Sequence, residues 1–303
     1  MTATTTRVDG IDGKVNIEPV YPNLSPQEET RWVSVEGGEL FCHSFGNHGP
    51  AVIVISGGPG LPHDYLLELS ALGLHQRVIF FDPRCCGQST GEINDLKMNM
   101  KTFIEDIDAV RQAYKLGKAS FIGHSSGGLM VMRYAIEYSN FVEKMILLNS
   151  MDAFYSHIPE QDYIKGIRNI KASPGFKNDQ VEEIVKSYKD FFGPAFYKPE
   201  SIDKLNLKMS LKAAKNSIEV REAFERTLFE PSFDYQRELS ELAIQTLIMH
   251  STNDFIPHSV SENLHRILPN SKKPIDIEEC GHFSVTEQID IVCKHISTFL
   301  QSR

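Results

Sequence analysis

The stretch FIGHSSGG, residues 121–128, places Ser125 among small residues in a G-x-S-x-G pattern. It follows the apolar run ASFI (119–122), which predicts a buried strand, and it precedes GGLMVMRYAIEY (127–138), which predicts a mostly buried helix. A serine at the sharp turn between a strand and a helix is typical of a nucleophile elbow, where glycines prevent clashes with the neighbouring elements. A turn that merely needs small residues is the alternative. We expect Ser125 to be a nucleophile.

Short apolar runs recur on both sides of this stretch. They are AVIVIS (51–56), RVIFF (77–81), KMILLN (144–149), TLIMH (246–250) and PIDIEE (274–279), and an earlier hairpin is predicted where EGG separates RWVSV from ELFCHSFG. Unbroken apolar runs suit strands that are covered on both faces, and helical patterns lie between most of them. The sequence therefore predicts an α/β fold with a mainly parallel, doubly wound sheet.

Residues 151–238 have a different character from the rest of the chain. Aromatic residues cluster there, helical periodicity dominates, and no convincing strand is found. We expect this segment to form a helical cap that is inserted after the sixth strand and lies over the carboxyl edge of the sheet. Residues 1–150 and 239–303 would then form one catalytic domain. Its first 25 or so residues are polar and include Pro19, Pro22 and Pro26, which indicates an irregular lead-in.

The composition excludes several classes of protein. The 303 residues include 31 Lys and Arg against 40 Asp and Glu, a net charge of −9, which argues against a nucleic-acid partner. The sequence contains no apolar stretch of signal-peptide or membrane-span length, so we expect no membrane association and a cytoplasmic location. The five cysteines are odd in number and irregularly spaced, and we expect reduced thiols. The composition leaves the oligomeric state open.

A serine nucleophile needs a general base and a group that orients that base. In sheets of this kind the expected order along the chain is serine, acid, histidine. Asp254 follows the run TLIMH, and His282 follows the run PIDIEE. We therefore predict that Ser125 attacks, that His282 takes up and returns the proton, and that Asp254 orients the imidazole. Asp152, which follows KMILLN, is the alternative acid, and this mechanism needs no cofactor and no metal.

The glycine-rich run SGGPG (56–60) predicts part of an oxyanion hole. It follows the strand run AVIVIS, at the position where this architecture supplies one backbone N–H to a developing oxyanion. We assign that donor to Gly58 and the second donor to Ser126, the residue after the nucleophile. A plain Gly-Pro turn is the alternative.

Five motifs together resemble those of the α/β-hydrolase superfamily, and most closely its proline iminopeptidase branch. They are SGGPG, DPRCCGQST (82–90), GHSSGG (123–128), STNDFIP (251–257) and CGHF (280–283). The resemblance covers about residues 30–150 and 240–300, and it implies the same three catalytic residues. Ser56, Pro83 and Cys85 depart from the His, Gln and Gly usual in the branch. Asp82 and Arg84 match it, and we expect them to brace a loop beneath the site.

The resemblance implies a serine hydrolase that acts through an acyl-enzyme, specifically an aminopeptidase. Its substrate would be a small molecule or short peptide from which a small N-terminal residue such as proline is released. In that branch a glutamate late in the cap binds the substrate amine, and Glu222, Glu225 and Glu230 are the candidates here. A carboxylesterase or lactonase that acts on small acyl substrates is one alternative. A ligand-binding receptor that keeps the catalytic residues but turns over slowly is another.

Overall fold

The computed structural model describes residues 26–154, 166, 168–229 and 232–302, so the predicted lead-in lies outside the described residues. Eight strands form one sheet: β1 Glu28–Val35, β2 Gly38–Phe45, β3 Ala51–Ile55, β4 Arg77–Phe81, β5 Ala119–His124, β6 Val142–Leu148, β7 Gln245–Ser251 and β8 Ile275–Ile277. Their spatial order is β1-β2-β4-β3-β5-β6-β7-β8. Strand β2 pairs antiparallel with β1 and β4, and all other pairs are parallel. The predicted mainly parallel sheet and its hairpin are confirmed.

Two hydrophobic cores lie on opposite faces of the sheet. Along β3, Ile53 and Ile55 belong to one core, whereas Val52 and Val54 belong to the other. Successive side chains of a strand point to opposite faces, so a strand that is covered on both sides must be apolar at every position. This explains why the run AVIVI does not alternate with polar residues.

Helices cover both faces of the sheet. They are α1 Met100–Ala113, α2 Ser126–Glu137, α3 Pro174–Lys177, α4 Val181–Phe192, α5 Leu211–Phe224, α6 Gln236–Ser240, α7 His258–Ile267, α8 Ser284–Glu287 and α9 Ile289–Gln301. A 3₁₀-helical segment, His63–Leu74, connects β3 to β4. Among the helices in the described ranges, none has the length and apolarity needed to span a lipid bilayer.

The regular elements described between β6 and β7 are helical and are joined by short irregular segments, and an isolated antiparallel bridge pairs Phe154 with Asp234. The predicted helical cap after the sixth strand is confirmed. Its helices α4 and α5 bury Ile184, Tyr188 and Ile218 in the same core as Val52 and Val54 of β3. The cap is therefore packed into the body of the molecule. The exact division of the chain at residues 151 and 238 stays a prediction.

Candidate active site

The three predicted catalytic residues and the predicted oxyanion loop each follow the carboxyl end of a strand. The loop Ser56–Gly60 follows β3, Ser125 follows β5, Asp254 lies just beyond β7, and His282 lies beyond β8. Strands β3, β5, β6, β7 and β8 are consecutive parallel neighbours, so their carboxyl ends meet at one edge of the sheet. Ligand sites of open α/β sheets lie at this edge.

The backbone of Ser125 has the sharp conformation that the G-x-S-x-G pattern predicts. Its φ is 57° and its ψ is −125°, a positive φ that is rare outside glycine and is found at strained functional positions. A Cβ on Gly127 would lie 2.4 Å from the carbonyl oxygen of Ile55, and one on Gly123 would lie 2.5 Å from that of Gly127. Both positions therefore require glycine, because β3 and α2 approach the turn so closely.

The imidazole of His282 faces the carboxylate of Asp254. Nδ1 lies 2.8 Å from Oδ1 and 3.0 Å from Oδ2, and both side chains are buried. Asp254 also accepts hydrogen bonds from the backbone N–H of Ile256 at 3.0 Å and from the side-chain amide of Asn149 at 2.7 Å. Ser284 Oγ in turn donates to Asn149 Oδ1 at 2.9 Å. The sequence analysis missed Asn149, although it is the polar residue that ends the run KMILLN.

These contacts determine the charge of Asp254. Burial alone would raise the pKa of this carboxyl group, but the facing His282, its hydrogen bond and the donors on Ile256 and Asn149 outweigh burial and lower the pKa below its ordinary value. The ionised carboxylate accepts the Nδ1–H of His282, so the neutral ring carries no proton on Nε2, as the predicted role of a base requires. The same carboxylate would stabilise the imidazolium that the predicted mechanism forms at His282.

Ser125 and His282 lie at the same edge of the sheet and are linked through His124, the residue before Ser125. His124 Nε2 donates to the carbonyl oxygen of His282 at 2.9 Å. Within the described part of the chain, Ser125 Oγ and His282 Nε2 do not form a hydrogen bond. Such catalytic hydrogen bonds are often long without substrate and shorten in the reacting complex.

The alternative acid, Asp152, has different partners. Both carboxylate oxygens of Asp152 accept hydrogen bonds from the side-chain amide of Asn263, at 2.8 and 3.1 Å. One of these oxygens also accepts a hydrogen bond from the backbone N–H of Ala153 at 2.7 Å. Burial raises the pKa of Asp152 despite these donors. The structure therefore brings Asp254, and not Asp152, to the imidazole of His282.

The loop Ser56–Gly60, the predicted oxyanion loop, lies directly against Ser125. A Cβ on Gly57 would lie 2.7 Å from the Cβ of Ser125. The next residue, Gly58, has a φ of +121°, and its carbonyl oxygen accepts a hydrogen bond from the guanidinium of Arg221 on α5. Ser126 is the first residue of α2, so its N–H has no acceptor within the helix. The two predicted oxyanion donors, Gly58 and Ser126, thus flank Ser125, and their role stays a prediction.

The cap is hydrogen-bonded to the loop that carries His282. The backbone N–H of His282 donates to the carbonyl oxygen of Ala195 at 2.7 Å. The carboxylate of Glu287 accepts three backbone N–H groups from both sides of this contact, those of Gly281 (2.8 Å), Tyr197 (3.1 Å) and Lys198 (2.9 Å). The position of the imidazole therefore depends on the cap as well as on the sheet.

The three candidate amine-binding glutamates have different surroundings. Glu222 pairs with Lys171 at 2.8 Å, and both side chains are substantially exposed. Glu225 is mostly buried, with its Oε1 3.4 Å from Nε of Arg221, the residue that also contacts Gly58. Glu230 lies outside the described residues. Of the two glutamates that are described, Glu225 is therefore the one connected, through Arg221, to the predicted oxyanion loop Ser56–Gly60.

Asp82 and Arg84 make the bracing contacts that the sequence predicts. Asp82 accepts hydrogen bonds from the backbone N–H of His63 at 2.9 Å, from Nδ1 of the same residue at 2.7 Å, and from the backbone N–H of Gln88 at 2.7 Å. Arg84 forms a two-pronged pair with Asp106, at 3.0 and 2.6 Å. Both residues hold loops in place.

One cluster among the described residues brings three potential metal ligands close together. The ligand atoms of His63, Asp64 and Asp82 lie within 4.8 Å of one another. Both oxygens of Asp82 already accept N–H donors, one of them from the ring of His63. We interpret this cluster as part of the hydrogen-bonded contacts through which Asp82 holds the neighbouring loops.

Buried His124 predicts a pH dependence of stability. Burial, and secondarily the neighbouring His282, lower the pKa of His124 from 6.5 to about 3. In the unfolded chain the imidazole takes up a proton near its ordinary pKa, so folding must release that proton at any pH between about 6.5 and 3. The folded state therefore becomes less stable as the pH falls through this window, by at most about 1.4 kcal/mol per pH unit from this residue.

A His124→Leu variant, which cannot titrate there, is expected to lose that contribution. Its free energy of unfolding should fall less steeply than that of the wild type between pH 7 and pH 5, whatever its absolute stability. Urea unfolding at several pH values measures both slopes, and all other titrating groups are common to the two proteins. Parallel curves would contradict a neutral, buried His124.

Comparisons with known proteins agree with the fold described above. A family model described as the alpha/beta hydrolase fold matches residues 50–169. A proline iminopeptidase of Saccharolobus solfataricus is 24% identical over 272 residues, which are 82% of this chain and 84% of that protein. An esterase from Exiguobacterium antarcticum superposes with a TM-score of 0.69 at 20% identity, over 89% of this chain and 99% of its own. An enol-lactonase from Burkholderia xenovorans LB400 superposes with a TM-score of 0.67 at 18% identity, over 90% of this chain and 100% of its own. The chain therefore has the α/β-hydrolase fold, and over most of its length it is similar in sequence to proline iminopeptidases.

Proposed function

We propose that this protein is a serine hydrolase that acts through an acyl-enzyme. The observation that carries the proposal is the buried hydrogen bond between His282 and Asp254 at the sheet edge that also presents Ser125. Ser125 Oγ attacks the substrate carbonyl carbon while His282 Nε2 takes its proton. The tetrahedral intermediate then expels the leaving group, which receives that proton. Water attacks the acyl-enzyme by the same route and releases the acid and free Ser125.

The negative charge of each tetrahedral intermediate needs backbone donors close to Ser125. Gly58 and Ser126 are the proposed donors, because Gly58 follows Gly57, which lies against Ser125, and Ser126 is the residue directly after Ser125. Their N–H groups are part of the fixed backbone, so they need little reorganisation when the charge develops. Every step uses groups of this chain together with water.

We further propose that the substrate is a peptide or amide with a free amino terminus. The similarity to proline iminopeptidases over most of the chain supports this class. A protonated amine needs a carboxylate near the reacting carbonyl, and Glu225 is mostly buried and linked through Arg221 to the oxyanion loop. Because the guanidinium of Arg221 already contacts Glu225, the substrate amine would have to share this carboxylate with Arg221.

An esterase or lactonase activity is the second candidate. Phe255 is 43% exposed, and the centre of its ring lies 4.3 Å from that of the His282 imidazole. An exposed aromatic surface beside the catalytic imidazole suits an apolar acyl or leaving group. The pairing of Glu225 with Arg221 favours the same candidate, because a neutral site does not attract an amine.

A substrate panel distinguishes the two candidates. The wild type and a Ser125→Ala variant are assayed with p-nitroanilides of proline and alanine, with p-nitrophenyl acetate and butyrate, and with a small lactone. Turnover of the p-nitroanilides that is lost in Ser125→Ala supports the aminopeptidase. Turnover of esters or lactone alone supports the second candidate. A single burst of p-nitrophenol without turnover supports a receptor-like protein, and no reaction with Ser125 contradicts the hydrolase.

Glu225→Gln is expected to raise the KM for proline p-nitroanilide about 10- to 100-fold, because a hydrogen bond to a charged group is lost. Hydrolysis of p-nitrophenyl acetate should stay nearly unchanged, since the ester has no amine. Glu222→Gln is the matched control, because its carboxylate pairs with exposed Lys171, and it should leave both substrates unchanged. Glu230→Gln tests the third candidate. Equal effects of Glu225→Gln on both substrates would contradict its role in binding the amine.

A further inference from the structure

A buried chain of hydrogen bonds joins the three parts of the proposed catalytic machinery. The backbone N–H of Gly57 donates to the hydroxyl of Tyr65 at 2.7 Å, and that hydroxyl lies 2.9 Å from Nδ1 of His124. Nε2 of the same ring lies 2.9 Å from the carbonyl oxygen of His282. Tyr65 and His124 are 2% and 1% exposed. The chain therefore runs from the oxyanion loop through the residue before the nucleophile to the proposed base.

The partners determine where each proton of this chain lies. A carbonyl oxygen only accepts, so Nε2 of His124 must carry a proton that it donates to His282. Burial keeps the ring neutral, which leaves Nδ1 without a proton and makes it an acceptor. The Tyr65 hydroxyl must then donate to Nδ1 and accept from Gly57. Every donor in this chain of hydrogen bonds therefore has an acceptor in one arrangement of protons. In that arrangement each hydrogen bond is donated in the same direction, from Gly57 towards His282.

We propose that Tyr65 and His124 are positioning residues that hold the oxyanion loop and the His282 loop in place against the nucleophile. This inference rests on the proposed acyl-enzyme mechanism and adds two residues to it. Neither side chain touches the reacting atoms in this assignment. Tyr65 acts through the backbone of Gly57, and His124 acts through Tyr65 and through the backbone of His282.

The peptide between Gly57 and Gly58, in the predicted oxyanion loop Ser56–Gly60, is the part of the site that Tyr65 would keep in position. The N–H of Gly58 belongs to the peptide that joins Gly57 to Gly58, and glycine has no side chain to restrict either residue. Tyr65 anchors the N–H on one side of that peptide, and Arg221 anchors the carbonyl oxygen on the other. The proposed oxyanion donor thus lies between two anchored groups. Without Tyr65 that peptide is free to rotate away from the position that the oxyanion occupies.

Tyr65→Phe tests this proposal with little change in packing. The Tyr65 ring packs edge-on against His124 and Phe283, with ring centres 5.4 and 5.8 Å apart, and phenylalanine keeps these contacts. We expect kcat for p-nitrophenyl acetate to fall about 10- to 100-fold, less than or similar to the loss of an oxyanion donor, with KM changed less than about threefold. The rate at which a fluorophosphonate probe labels Ser125 should fall by a similar factor.

The matched control is Tyr134→Phe. Tyr134 is also completely buried, and its hydroxyl donates to Asp108 at 2.9 Å, away from the proposed site. Both variants lose one buried hydroxyl and should lose thermal stability, but only Tyr65→Phe should lose kcat and labelling rate. If the two variants retain equal activity per folded molecule, Tyr65 is only structural and the proposal is wrong.

Two changes at His124 provide a second test. His124→Leu removes both ring nitrogens and should lower kcat as much as Tyr65→Phe, whereas the double variant should lose little more than either single variant. His124→Asn keeps an acceptor oxygen near the Tyr65 hydroxyl and should recover part of the loss. The positioning role is wrong if the losses of kcat add up in the double variant, or if His124→Asn recovers none of the loss. It is also wrong if neither Tyr65→Phe nor His124→Leu folds.

The labelling experiment separates this inference from the proposed function. If the fluorophosphonate probe does not label wild-type Ser125, the hydrolase proposal fails and the positioning role fails with it. If the wild type is labelled and Tyr65→Phe is labelled equally fast, only the positioning role fails.

Discussion

Ser125→Ala and His282→Ala are each expected to lower kcat about 1,000-fold or more, because nucleophile and base act as a unit in this mechanism. The double variant should lose little more than either single variant, since removing one partner already disables the other. The measurement is kcat on the substrate from the panel that the wild type hydrolyses fastest. Circular dichroism of each variant establishes that the fold is intact.

Ser120→Ala is the control for the loss of a buried serine hydroxyl. Ser120 is buried on β5, the strand that ends at the nucleophile turn, and it has no place in the proposed chemistry. It should keep near-normal turnover. Near-normal turnover of Ser125→Ala would instead show that another group is the nucleophile, and losses that simply add in the double variant would contradict the shared step.

Asp254→Asn is expected to lower kcat about 1,000-fold or more, whereas Asp152→Asn should lower it less than about tenfold. An amide at position 254 no longer stabilises the imidazolium, and its NH₂ group favours the imidazole tautomer with a bare Nδ1. Nε2 of His282 then carries the proton and is not a base. Asp152 instead binds Asn263 and Ala153, so its replacement affects only the packing near α7.

The two aspartate variants are compared at equal folded fraction, with kcat measured from pH 6 to pH 9. The loss in Asp254→Asn should be present throughout this range, because the tautomer preference does not depend on pH there. A larger loss in Asp152→Asn, or equal losses, would move the role of the acid to Asp152. Equal activity of both variants with the wild type would remove the orienting carboxylate from the mechanism.

The fold was predictable because its signals are local in the sequence. The run AVIVI is apolar at every position because both faces of β3 are covered, and that requirement is visible without any partner strand. The turn at Ser125 needs glycines at positions 123 and 127, since β3 and α2 approach within 2.5 Å of where a Cβ would lie. Steric requirements of this kind act over a few residues, so the sequence pattern records them directly.

The candidate site was predictable only in part. The order of Ser125, Asp254 and His282 along the chain follows from the carboxyl ends of successive strands, which the apolar runs reveal. The sequence favoured Asp254 over Asp152 as the acid, but both residues come after a strand, and only the structure shows which carboxylate faces the imidazole of His282. Glu222 and Glu225 also look alike in sequence, and only their partners, Lys171 and Arg221, separate them.

The amino-acid sequence by itself therefore determined the strand order along the chain, the helical cap after the sixth strand and the sharp turn at Ser125. The tertiary structure alone decided which side chains meet: Asn149 with Asp254, Arg221 with Gly58, and the chain from Gly57 through Tyr65 and His124 to His282. The reason is physical. Periodicity and steric exclusion are properties of neighbouring residues. A hydrogen bond depends on the distance and direction between two groups, and those of His124 and His282 lie 158 positions apart in the sequence. Only the packing of the folded chain sets that distance and direction.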